Sequence, residues 1–235
     1  MVRWTSIAVA LALMVGSVGD LSAKSVRVRI LDADLTKLPF GQDTEAVMAW
    51  VENKVRSDFG PRLKGALDRG ERAQVAKEIA DKVEMARKSL TEFSGKPTGL
   101  ENSVLGSEFV AGAGESMIQY RQGNIDHYML FTDGKLWKYV RALKAKGEFA
   151  ERLKALAKDF GTPNGVQTQR GKPVEATWEG DRVIMQIRNQ RSIYGTDLLL
   201  VIDRKMKLLA EAKRKASATD TGPRVDPELK GILED

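Results

Sequence analysis

The chain contains no cysteine and only one histidine in 235 residues. Without cysteine it can form no disulfide, thiolate nucleophile, zinc finger or iron–sulfur cluster. One histidine excludes the two-histidine metal sites and most histidine relays within a single chain. Aromatic residues make up only 6%, and charge of neither sign dominates: 38 basic against 32 acidic residues leave +6, mildly basic rather than polycationic. What is present, 42% apolar residues, suffices for a real core in one large domain or two small ones.

Long hydrophobic runs are also few, and the most informative one opens the chain. Arg3 precedes an unbroken apolar stretch from Ile7 to Val15, followed by the small residues Gly16, Ser17 and Gly19 and then Ser22 and Ala23. That order of positive, apolar and small-residue regions is the pattern of a secretory signal peptide over 1–23, with cleavage after Gly19 or Ala23. The run falls short of the ~20 residues that span a bilayer. Lipid attachment would need a cysteine at the cleavage site, so the expectation is an exported, non-lipoprotein chain, periplasmic or secreted from a bacterium, with no transmembrane span after processing.

The mature chain divides by pattern into 24–100, 101–212 and 213–235. Val26, Val28 and Ile30 alternate with arginines as in a half-buried strand. Asp43 can cap a helix that carries Val47, Trp50, Val51 and Val55 and stops near Gly60-Pro61. A longer helix is expected over Glu71 to Phe93, with Ala76, Ile79, Val83, Ala86, Leu90 and Phe93 on one face. From 101 to 212 the pattern turns extended. Strands around Ser116–Tyr120, His127–Phe131 and Leu136–Val140 form a meander, and Asp133-Gly134 marks a two-residue hairpin turn. That turn sets Leu130 opposite Trp137 and Tyr128 opposite Tyr139, with both faces apolar. A helix carrying Phe149, Leu153, Leu156 and Phe160 ends at Gly161. A second hairpin turns at Gly180-Asp181, placing Glu179 opposite Arg182 and putting Val174, Ala176, Trp178, Val183, Met185 and Ile187 on one face. Asp197–Ile202 reads as a buried last strand, and 213–235 as a flexible tail. The fold expected is α+β: an antiparallel sheet of meander and hairpins with two to four packed helices.

The chemical motifs are sparse. Asp58-Phe59-Gly60 and Asp159-Phe160-Gly161 match the kinase metal-binding tripeptide by letters, without the other kinase elements, and both read as helix stops. They form a faint internal echo, two helices each ending in the same tripeptide near a proline. Gly112 to Ser116 lacks the second glycine of a nucleophile elbow. Ser116, His127 and Asp126 are the weak catalytic candidates, although Asp126 and His127 point to opposite faces of one strand. Arg204, Lys205, Lys207, Lys213, Arg214 and Lys215 form a basic run beside Leu208 and Leu209, a candidate for surface binding. No cofactor, metal or nucleic-acid partner is implied. The stretch Phe160-Gly161-Thr162-Pro163 with its following hairpin strands resembles small envelope-assembly lipoprotein modules over a minor part of the chain, without their lipid-bearing cysteine, and no residue role follows from that. The sequence therefore points to an exported soluble envelope protein that acts by binding, as an accessory of envelope assembly or maintenance. Its partner would be an envelope protein or an anionic surface. Two alternatives are a small hydrolase using carboxylates or Ser116 with His127, and a peripheral binder of anionic membranes through 204–215.

Overall fold

The computed structural model describes residues 37–220. The signal segment, the strand expected at 26–30 and the chain beyond 220 lie outside the described residues. Two antiparallel helices come first, α1 (Thr44–Gly65) and α2 (Arg69–Lys88). Asp43 caps α1 by accepting from the Ala46 amide at 3.0 Å, and Asp68 caps α2 through the Glu71 amide at 2.8 Å. The strands follow: β1 (Thr91–Glu92), β2 (Glu115–Gln122), β3 (Ile125–Thr132) and β4 (Lys135–Lys144). Helix α3 (Phe149–Phe160) leads into β5 (Gly165–Gln169), β6 (Lys172–Glu179) and β7 (Val183–Gln190). A single turn, α4 (Arg191–Tyr194), joins β8 (Thr196–Asp203), which runs into α5 (Arg204–Asp220).

All eight strands form one antiparallel sheet in the order β1-β2-β3-β4-β8-β7-β6-β5. This is α+β built from a meander and hairpins. The last strands of the two halves, β4 and β8, meet at the centre: the first half is a helix pair followed by four strands, the second a single helix, α3, followed by four strands with the α4 turn between the last two. The repeated Asp-Phe-Gly tripeptide does not mark this relation. Asp58-Phe59-Gly60 lies inside α1, which continues through the exposed Pro61, because Phe59 and Leu63 pack on the core and Arg62 forks onto Glu78 of α2. Only Gly161 acts as a stop, with φ of 84° at the end of α3.

One face of the sheet, here the upper face, carries Ile118, Met129, Phe131, Tyr139 and Val201 under α1 and α2. Farther along the same face, α3 lays Leu153, Leu156 and Phe160 over Ala176, Trp178, Met185 and Ile187. The lower face carries Leu130, Val140, Leu198 and Leu200 under the loop holding Phe93, Leu105 and Phe109 and under Ala210 of α5. Beneath β5, β6 and β7 the lower face is polar, as the alternation of Glu175, Thr177, Gln186 and Arg188 requires.

The differences from the sequence reading have local causes. Helix α2 ends at Lys88, so Leu90 is exposed, and Phe93 crosses to the lower face and stacks on Phe109 at 3.8 Å. Ala76 is exposed, and Val75 takes the buried position in its place. Thr132 does pair with Lys135 across Asp133-Gly134 (φ 50° and 66°), but a bulge between Leu130 and Phe131 then brings Lys138, not Trp137, opposite Leu130. Tyr128 accordingly faces Val140, and Met129 faces Tyr139. In the second hairpin Glu179 pairs with Ile184 rather than Arg182. That two-residue slip keeps every side chain on its expected face. Helix α5 continues to Asp220, so 213–220 is helical rather than a tail. Strand β1 precedes the expected boundary at 100 and pairs with β2 beyond it.

Candidate functional site

The sheet has a basal end, where the β2–β3 turn, the end of β4 and the start of α3 come together. Near this end of the upper face, three neighbouring strands place polar side chains among the apolar core. Tyr120 of β2 pairs with His127 of β3, and His127 pairs with Arg141 of β4. The imidazole stacks on the Tyr120 ring at 4.5 Å and shares a 2.5 Å hydrogen bond between Nδ1 and the Tyr139 hydroxyl. His127 is 3% exposed, and its Nε2 has no hydrogen-bond partner among the described residues. The buried Nε of Arg141 is likewise unpartnered there.

Burial, then the nearby Arg141 charge, pushes His127 down to about 4, against the opposing pull of Asp126. The ring is therefore neutral at pH 7. An unfolded chain takes up this proton near pH 6.5 and the folded chain only near 4, so stability falls as pH drops through that window. The expected loss approaches ~3 kcal/mol. Because the chain has one histidine, comparing urea midpoints of wild type and His127→Gln at neutral and acidic pH isolates it. An identical acid loss in both proteins would show that His127 does not carry the effect.

Arg141 also forms part of the wall of a groove of about 510 Å³. The β2–β3 turn contributes Gln122, Asn124 and Ile125, the end of β4 contributes Leu143 and Lys144, and Lys146 and Arg152 complete it. All its charged liners are cationic. Arg152 is already committed to the buried Asp197 at 3.0 Å and donates to the Lys144 carbonyl at 2.8 Å. Arg141, Lys144 and Lys146 form no ion pair among the described residues.

The sequence candidates are dispersed. Ser116 lies opposite Phe131, four residues along β3 from His127, which at ~3.3 Å per residue is ~13 Å away. Asp126 faces the lower side and takes a bidentate contact from Arg121 at 2.7 and 3.1 Å. Ser116, His127 and Asp126 are thus not brought together. The basic run divides as well. Arg214 turns inward, forks onto the buried Glu115 and lies 4.9 Å from the centre of the Trp137 ring. Lys213 pairs with Asp133, Lys207 with Glu211, and Arg204 with Glu179. Lys205 and Lys215 are exposed on α5, where Leu208 and Leu209 are 69% and 42% exposed.

Sequence reasoning passed over two sets of residues. One is the groove, whose cations come from separate elements. The other is a buried ionic network on the lower face, where Glu108 holds Lys138 and Arg188. Lys138 sits inside a strand whose two faces both read as covered, and a cation at such a position requires a buried partner.

No family model matches this chain. The search of curated proteins also gives no match. Among solved structures, a cysteine-rich secretory protein from Staphylococcus aureus overlaps 45% of this chain and 44% of its own, at 11% identity and a TM-score of 0.26. A likeness at that level does not define a shared fold. Among the described residues, no helix is long and apolar enough to cross a membrane.

Proposed function

We propose that the protein is exported to the bacterial envelope and acts there by binding, with the groove at the basal end of the sheet as its binding site. Export is supported by the positive start, apolar run and small residues of the first 23 positions. The observation that carries the binding reading is the groove itself. Its walls come from the β2–β3 turn, β4 and α3, and Arg141 in its lining has a buried guanidinium nitrogen with no partner among the described residues. Concave sites with a few convergent polar groups are where small ligands and partner segments bind.

The test is photo-crosslinking in the producing cell, using a photoreactive residue at Asn124 in the groove wall. A second chain carries it at Asp81, an exposed position on α2. Mass spectrometry of the recovered protein registers small and large adducts alike. Adducts at 124 well above those at 81 are expected. Equal yields at the two positions would remove the groove as a binding site.

A further inference from the structure

Resting on that binding reading, we propose that the group entering the groove is a multiply charged oxyanion, phosphate or polycarboxylate, held by Arg141, Lys144 and Lys146. Three features of the groove converge on this class. First, its charged lining is entirely cationic: Arg152 is held by Asp197, which it shares with Arg191, while Arg141, Lys144 and Lys146 form no ion pair among the described residues and are left for a ligand. Second, the guanidinium of Arg141 has the planar fork that matches an oxyanion, and the two lysines add mobile ammonium donors on the rim. The side-chain amides of Gln122 and Asn124 supply further neutral donors from the facing turn.

The third feature separates this groove from the other cationic surface at the same end of the sheet, around Arg170 and Lys172. Behind Arg141 stands the cross-strand neighbour His127, almost wholly buried and with an unpartnered Nε2. Arg141 is therefore backed by a polar layer, Tyr120, His127 and Tyr139, where its strand neighbours on the same face are otherwise apolar. A cation held over such a layer and answered by no acid is relieved by an anion from outside. The bound anion also removes the mutual repulsion of the three cations, so it stabilises the folded chain.

The two sources of such an anion, a free small molecule and a lipid headgroup, are separated by the choice of probe. Calorimetric titration at low ionic strength uses pyrophosphate and citrate, and co-sedimentation uses phosphatidylcholine vesicles with and without cardiolipin. The expected result is saturable binding of at least one anionic probe, weakened by added salt. Lys144→Gln with Lys146→Gln, and separately Arg141→Gln, should each weaken it roughly tenfold or more. Lys77→Gln, at an exposed position on α2, should leave it unchanged. Both lysines of the groove are exposed, so their replacement does not threaten folding. A rise in Tm with the same probe, absent in the lysine variant, is the second readout. Binding to cardiolipin vesicles but to neither free anion assigns the headgroup as the source. The proposal is overturned if no probe binds, or if the groove variants bind as wild type does. In either case, persisting adducts at Asn124 would mean that a different ligand class uses the groove, whereas their loss would remove the binding reading as well.

Discussion

Glu108→Gln is expected to destabilise the protein by ~3–5 kcal/mol, because it leaves a buried cation without its counter-charge. The Glu108 carboxylate is 2% exposed and takes the Lys138 ammonium at 2.9 Å and the Arg188 guanidinium at 2.5 Å. Lys138 also donates to the Glu108 carbonyl at 2.8 Å, and its side chain is only 5% exposed. Burial pushes Glu108 up, but Lys138 and Arg188 together overcome that and hold its carboxyl below the usual range. Burial lowers Lys138 to about 8 even though Glu108 pulls it upward. Arg188 keeps a second partner in Glu175 at 2.8 Å, so the main cost of the substitution falls on Lys138. Four segments meet at this point: the loop bearing Glu108, strand β4 with Lys138, strand β7 with Arg188, and α5, whose Arg214 donates to the Glu108 carbonyl at 2.8 Å. The loss should appear as a lower urea midpoint with an unchanged slope. Adding Lys138→Met should recover a large part of it, since an apolar pair replaces a broken ionic one. A single-variant loss under ~1 kcal/mol would mean that the loop and α5 are held mainly by apolar packing, as exposed ion pairs would allow.

How much of this was legible in the sequence depends on whether a signal is local. Asp133-Gly134 needs positive φ at both positions, and that chemistry is written in two adjacent residues. The bulge beside it was not readable, because both faces of that hairpin are apolar and a slipped register exposes nothing. At Gly180-Asp181 the faces were readable but not the register, since a shift of two residues conserves the pattern. Pro61 argued for a helix end, yet the packing of Phe59 and Leu63 outweighs a break at an exposed position. Strand β5 is exposed at all five residues and lacks the apolar alternation that reveals a half-buried strand. The groove was hidden for a different reason. Asn124, Arg141, Lys144 and Arg152 are ordinary surface residue types, and the sheet order that places them around one cavity is nonlocal. By contrast, the scatter of Ser116 from His127 could have been reached from the meander alone, by counting residues between them along paired strands.

Trp178→Ala should cost about as much, ~3–5 kcal/mol, for a different physical reason. Trp178 is 2% exposed on β6, beneath α3, in a cluster with Phe149, Ala176, Met185 and Ile187. Removing the indole opens a large cavity that neighbours fixed by the sheet cannot fill, which adds to the lost transfer free energy. The indole also makes a directional contact: its Nε1 donates to the Gly161 carbonyl at 2.8 Å, tying β6 to the stop of α3. Gly161 sits at φ 84°, where the helix breaks toward Pro163 and β5, so this hydrogen bond holds the turn that delivers the edge strand. Trp178→Phe separates the two contributions, since it retains most of the apolar contact and deletes the donor, at an expected ~1 kcal/mol from the hydrogen bond. Hydrogen exchange gives the spatial readout. In Trp178→Ala, protection should fall first in α3 and β5, while the β2–β3–β4 meander, held by the separate cluster under α1 and α2, opens later. Equal loss of protection in both halves would instead mean that the sheet unfolds as one cooperative unit across the β4–β8 pairing.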